Sequence, residues 1–209
     1  MARVQRSGWK KMPEEVRRAA ILAAAGAAFG ELGFEKASVQ DIAERAGLTK
    51  GGVYFHFESK EALSTALLKG VAAEAGAVLA RVEPGVGAKD PAAALLGLME
   101  EMARALGGAG MSAVKLMELA NGEGGEGRAA LMALYVAFHG ALAGLIGEAQ
   151  AAGKATRRLP PATLARLLLA VFDGLHMQAE LVAEQIDRAA GVPALLEAAV
   201  RKLLLEEAA

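Results

Sequence analysis

The chain has 209 residues, of which 54% are hydrophobic and 4% aromatic, with a net charge of −1 and no cysteine. That length admits one large domain or a small one joined to a larger one, and the missing cysteine excludes disulfides and thiolate metal sites. Abundant alanine and leucine with only 6 prolines favour an all-α protein. The histidines His56, His139 and His176 are far apart and form no ligand spacing, so neither metal nor cofactor is expected. The small net charge hides an asymmetry. Residues 1–60 carry 10 Lys/Arg against 7 Asp/Glu, whereas the rest of the chain is net acidic. Arg3, Arg6, Lys10 and Lys11 make the opening segment basic. It lacks the apolar core of a secretory leader, so a cytoplasmic protein is expected. A basic start on an acidic body points to a polyanion contact near the start. Trp9, in that segment, reads as tail or local packing.

The first helix is predicted over residues 14–32, with Ile21, Ala25, Phe29 and Leu32 on one stripe. Gly33 ends it and Phe34 folds back onto it. In ASVQDIAERAG, Ser38 is an N-cap and Asp41 completes a capping-box pattern. This second helix stops before Gly47. The third starts near Thr49, a second N-cap residue, and ends near Phe55 or His56. A longer helix follows over 59–81, and EPGVGAKDP reads as a linker. Five more helices are expected, over about 91–106, 111–120, 126–151, 161–186 and 193–207. Their breaks are GGAG, NGEGGEG, the segment around GKATRRLPP, and AAGVP.

Residues 39–57 have the spacing of a helix-turn-helix. Ala43 is small where a second helix must cross, and Gly47 can take the left-handed conformation a tight turn needs. Ile42, Ala46, Leu48, Val53 and Phe57 supply a packing face. Gly51 and Gly52 are costly in a helix, at about 1 kcal/mol each. Without side chains they let the third helix come close to DNA. Lys50 reaches a base edge or a phosphate, Tyr54 and His56 suit phosphates, and Phe55 suits a thymine methyl or packs. Thr49 starts this helix. Ser38 and Lys60 stand at two further helix starts where phosphate can bind.

The segment SVQDIAERAGLTKGGVYFHFESKEAL resembles the DNA-binding region of TetR-family transcriptional repressors, and TKGGVYFHFESKE is its most specific part. By motif the resemblance covers about residues 14–68; the later helices match in number, order and approximate length. The pattern TKG..YFHF.SK is also similar to gamma-butyrolactone receptors of that family. Those typically carry a tryptophan in the ligand domain, whereas the only tryptophan here is Trp9. The resemblance implies an N-terminal three-helix DNA-binding domain over 1–58 and a helical ligand-binding and dimerisation domain over 59–209, with helix 59–81 as connector. It implies a homodimer through helices 161–186 and 193–207 on a palindromic operator. Leu164, Leu168, Val171, Leu175, Leu195, Leu196 and Val200 are available there for interface or core.

Other signals point elsewhere. Gly122, Gly124 and Gly127 have GxGxxG spacing, but a helix end precedes them rather than a strand, so an interhelical loop is expected. Residues 129–147 contain no Asp, Glu, Lys or Arg. A helix buried on all sides is expected there rather than a membrane span. No GxSxG or P-loop is present, and Glu100 with Glu101 reads as a solvated face, so no enzyme is expected. A regulator of this kind senses through a cavity in its C-terminal domain. Met99, Met102, Met117, Met132, Tyr135, Phe138, His139, Phe172, His176 and Met177 are the candidates for a small, largely apolar effector. The alternative is a DNA-binding regulator with no small-molecule site, architectural or controlled by a protein.

Overall fold

The structure is a computed structural model. It describes residues 13–107, 113–123, 125–181 and 191–205. The basic opening segment with Trp9, most of the GGAG break and Gly124 lie outside the described residues, as do residues 182–190. Among the described residues the fold is all helical, with no strand.

The first three helices follow their capping chemistry. α1 is Glu14–Leu32, with Glu14 and Glu15 favourably placed in its first turn. It buries Ile21, Ala24, Ala25, Ala28 and Phe29 and stops at Gly33, whose φ of 79° suits glycine. Phe34 returns onto it, ring centroid 5.4 Å from that of Phe29. α2 is Val39–Arg45 and α3 is Lys50–Tyr54. The Ser38 capping box is complete, and Thr49 Oγ1 accepts the Gly52 N–H at 3.1 Å. Between α2 and α3 Gly47 has φ 68°, and the Leu48 N–H donates to the Ala43 carbonyl at 2.8 Å. Ile42, Ala43, Val53 and Phe57 are buried; Ala46 and Leu48, also expected to pack, are half-buried.

α4 is Lys60–Leu79, within the expected 59–81. The segment read as a linker contains a short helix, α5, Val86–Lys89. Its hold is long-range. Glu148 accepts the Gly85 N–H at 2.8 Å and the Gly87 N–H at 2.9 Å. Gly85 has φ 82°, and Gly87 lies against the Leu145 carbonyl. α6 is Pro91–Gly107, started by Asp90 Oδ1 accepting the Ala93 N–H at 3.0 Å. α7 is Ala113–Glu123. It runs through Gly122, past the expected end at 120, so NGEGGEG is a shorter break than its glycines indicate.

α8 is Glu126–Ala151, α9 is Pro161–Leu181 and α10 is Val192–Val200. The last helix changes pitch. Arg201–Leu205 is a π-helical turn in which Leu204 is buried and its carbonyl accepts the Thr156 N–H at 2.8 Å. The helix expected to be buried on all sides is not. Only 33% of the most apolar window of α8 is buried, and Val136 is 70% exposed. Alanine and glycine fill much of this charge-free run, so a large part of its surface is merely small. α4 and α8 are both long and apolar enough to cross a membrane by length and composition.

By packing the chain divides into two units. One holds the chain up to Ala72 together with Gly107–Leu131; the other holds Ala73–Leu106 and the chain from Met132 onward. In the first, Lys69 pairs with Glu126 and the Lys115 ammonium donates to the Gly30 carbonyl. In the second, Leu95, Met99, Met102, Leu142, Ile146, Leu168 and Phe172 are core. Leu164, Leu196 and Val200 join them; Val171 and Leu175 are half-buried and Leu195 is exposed.

The α5 clamp can be tested with two alanines. A Cβ at Gly87 would lie 2.4 Å from the Leu145 carbonyl oxygen, so backbone must move. Gly87→Ala should destabilise the protein by about 1–3 kcal/mol in urea unfolding. Gly97→Ala, where a Cβ meets nothing within 4 Å in the middle of α6, should be neutral or stabilising. Equal behaviour of the two would mean that α5 is not clamped.

Candidate nucleic-acid interface

The surface of α3 is built from a helix too short to stand alone. Its inner side is Val53, followed by Phe57, both buried. Its outer side carries Lys50, Gly51 and Tyr54, all exposed. Lys50 Nζ lies 5.8 Å from the centre of the Tyr54 ring. Phe55 is 80% exposed and stands edge-on to His56, centroids 5.1 Å apart.

The two glycines have no purpose inside the chain. Neither has positive φ. A Cβ on Gly51 would meet nothing within 4 Å, and one on Gly52 would make near-ordinary contact with Thr49 Oγ1 at 3.4 Å. Each therefore costs helix stability without relieving strain or a clash within the protein.

The main chain at His56 and the Lys60 ammonium are tied inward. The His56 carbonyl accepts from Arg18 Nη1 at 2.6 Å, and the Arg18 guanidinium carbon lies 4.2 Å from the centre of the Phe57 ring. Burial lowers the His56 pKa, the nearby Arg17 and Arg18 charges add to this, and Glu14 opposes it. The Lys60 ammonium donates to the carbonyls of Phe34 at 2.8 Å, Ala37 at 3.3 Å and Glu35 at 3.4 Å, and sits 4.4 Å from the Phe34 ring centre. An ammonium has three donors, and each has an acceptor here. Lys60 therefore fastens the loop between α1 and α2, where the sequence pointed to a phosphate. Ser38 likewise spends its hydroxyl on Asp41, holding that carboxyl below the usual range. Sequence reasoning missed Arg18, because nothing local marks a pairing across 38 residues.

Comparison with known proteins places this surface. A model of the bacterial regulatory proteins of the tetR family matches residues 21–67. The A-factor receptor protein of Streptomyces griseus is 46% identical over 48 residues, 23% of this chain and 17% of that protein. The transcriptional repressor KstR2 of Mycobacterium tuberculosis is 44% identical over 54 residues, 26% of this chain and 27% of the relative. These matched stretches span about a quarter or less of the relatives' own length. The solved structure of the TetR-family regulator PfmR from Thermus thermophilus aligns with a TM-score of 0.66 at 26% identity, over 88% of this chain and 97% of that one. The likeness to the tetR family is carried by residues 21–67, the stretch that holds α2 and α3. The matched stretch includes the helix-turn-helix, and the relatives that share it are transcriptional regulators.

The effector candidates are divided between the two packing units. Met117 falls in the first packing unit and the other nine in the second. Met99 and Met102 are fully buried in the core. Met132 is half-buried and Met177 exposed. Tyr135, Phe138 and His139 on α8 meet Phe172 and His176 on α9 or their neighbours. The Tyr135 hydroxyl donates to Asp173 Oδ2 at 2.6 Å, and burial with this carboxylate pushes its pKa up to about 12. Phe138 packs edge-on to Phe172, centroids 5.8 Å apart. His139 Nε2 lies 2.9 Å from the Ala162 carbonyl, and His176 Nδ1 lies 2.8 Å from the Phe172 carbonyl. An open surface groove of about 370 Å³ in the second unit is lined instead by Val78, Val82, Val86, Leu98 and Leu145, with Arg81 and Glu101 paired at 3.3 Å among its walls.

The lowered His56 pKa has a stability consequence. Above its ordinary value of 6.5 the imidazole is neutral in both folded and unfolded chains. Below it the unfolded chain takes up the proton first, so stability is lost as pH falls toward the depressed folded value. The His56 resonances should titrate with a midpoint below 6.5, and His56→Gln should flatten the stability profile in that window. A midpoint at or above 6.5 in the free protein would contradict the burial argument.

Proposed function

We propose that this chain is a ligand-responsive transcriptional repressor, acting in the cytoplasm as a homodimer on a palindromic operator and released when a small apolar effector binds. The observation that carries the DNA reading is Gly51, exposed on the outer side of α3, with the half-buried Gly52 beside it, neither required by a positive φ or a steric clash. In this reading residues 1–58 bind the operator and 59–209 sense and dimerise, with α4 as the connection. Lys50, Gly51, Gly52, Tyr54, Phe55 and His56 meet DNA, while Thr49, Ser38 and Lys60 hold the elements that present them. Repression is taken from the KstR2 likeness, although the same stretch is also similar to the transcriptional activator FasR.

Two recognition helices reading two-fold half-sites sit about one DNA turn apart, roughly 34 Å. An effector that prefers a conformer with another spacing by about 100-fold shifts the equilibrium by about 2.7 kcal/mol. The dimer reading is supported by Leu167, Met177, Leu195 and Leu203, large apolar residues left exposed on α9, α10 and the π turn. The second reading, a regulator without a small-molecule site, draws on the full burial of Met99 and Met102 in a packed core.

Selection from a random duplex library tests the DNA reading. A two-fold symmetric site should emerge, bound with a steep salt slope that reports many phosphate contacts. Gly51→Ala should raise thermal stability, consistent with about 0.5–1 kcal/mol of helix propensity, while weakening operator binding. Stronger folding with unchanged DNA affinity would remove the role given to the glycines, and no enriched site would remove the operator.

A further inference from the structure

α9 carries an uncovered face. Leu167 and Met177 are 43% and 44% exposed, and Arg166 and Ala170 are exposed between them or beside them. Asp173 lies along the same side, seven residues from Arg166, which on a helix is nearly two full turns. Its carboxylate is half-buried and accepts one hydrogen bond, from the Tyr135 hydroxyl at 2.6 Å. Burial pushes its pKa up; the Tyr135 hydrogen bond and the His176 charge pull the other way. Among the described residues neither Asp173 nor Arg166 has an ion-pair partner. A carboxylate partly withdrawn from water with no cation paired to it is an unfavourable arrangement that an incoming cation would relieve.

We propose that α9 packs antiparallel on α9 of a second copy of the chain, about a two-fold axis beside Ala170, so that Arg166 of each protomer pairs with Asp173 of the partner subunit. The inference rests on the homodimer reading and specifies its register. A two-fold contact must be self-complementary, residue i meeting j while j meets i. An exposed arginine and an aspartate with no ion-pair partner among the described residues, on one edge of one helix with the midpoint between them beside Ala170, satisfy that condition twice per dimer. Ala170 is small, and a Cβ on Gly174 would meet nothing within 4 Å, so two backbones can approach there. Leu167 and Met177 then lose water beside a pair that is partly buried, where a hydrogen-bonded charge pair sets orientation and excludes other registers.

Charge reversal decides it. Arg166→Asp alone places acid against acid twice per dimer, and Asp173→Arg alone places base against base. Sedimentation velocity should show self-association of each weakened by at least about ten-fold relative to the unchanged protein. Mixed in equal amounts, the two variants should form a heterodimer of near-original affinity, since both contacts then pair opposite charges. Recovery in the mixture also shows that both chains fold; if either does not, Arg166→Glu with Asp173→Lys replaces them. A mixture as dissociated as its components overturns the pairing. So does an unchanged protein that dimerises and is indifferent to both substitutions, though the homodimer reading then stands. An unchanged protein that sediments as a monomer overturns both.

Discussion

A five-residue helix must bury one side and show the other, and the first packing unit depends on that constraint. α3 has too few residues to form alone, because helix nucleation costs more than a single turn returns. It exists because Thr49 caps it, Gly47 turns the chain into it, and Val53 and Phe57 anchor it. Arg18 then fixes the position of its end by binding the His56 carbonyl and covering the Phe57 ring. Lys60 does the same one loop away, drawing three carbonyls of residues 34–37 around one ammonium. These cations are spent on geometry, so that Lys50, Gly51, Tyr54 and Phe55 are held on the outside.

What could be read from the sequence follows from how local each interaction is. The Ser38 capping box, the Thr49 cap, the Gly33 stop and the Gly47 turn each lie within a few residues, and all are found where the sequence places them. The clamp of Glu148 on Gly85 and Gly87 spans over 60 residues, so a stretch rich in glycine and proline reads as a linker although it contains α5. Lys60 was legible as a cation at a helix start but not as a cation already occupied, because its three acceptors lie 23 to 26 residues away. The glycine pair was legible as an anomaly. Gly51 is open and Gly52 would make only ordinary contacts, so neither strain nor a clash explains the pair.

The C-terminal half was harder to read for a compositional reason. Where alanine and leucine dominate, many helix faces satisfy the same pattern, and periodicity alone cannot assign one to core, interface or cavity. Leu164 and Leu168 turn out to be core and Leu195 surface, though all three have the same chemistry. Absence of charge was a poor guide to burial in α8, since a helix of small residues can be apolar and still keep most of its positions out of the core. The methionines illustrate the same limit: Met99 and Met102 fill core space, which an adaptable unbranched side chain does as readily as it lines a pocket.

A folded chain satisfies its own groups first, and departures from that rule mark where another molecule belongs. Three such departures bear on the surfaces described above. The chain places two glycines inside a helix with no conformational need for them. It leaves Phe55 and Val136 largely in water. It half-buries Asp173 with a tyrosine and no paired cation. The first and the exposed Phe55 lie together on the outer side of α3, while Asp173 stands beside the uncovered face of α9. Each feature is a cost in the isolated protomer, and the costs differ in kind: conformational entropy at the glycines, apolar hydration at Phe55, and uncompensated charge at Asp173. A polyanion that needs close backbone approach relieves the first, and a second copy bearing an exposed arginine relieves the last. On the proposed readings the two partners are recognised by different chemistry, one at α3 and the other at α9, so DNA binding and dimer register can be altered one at a time.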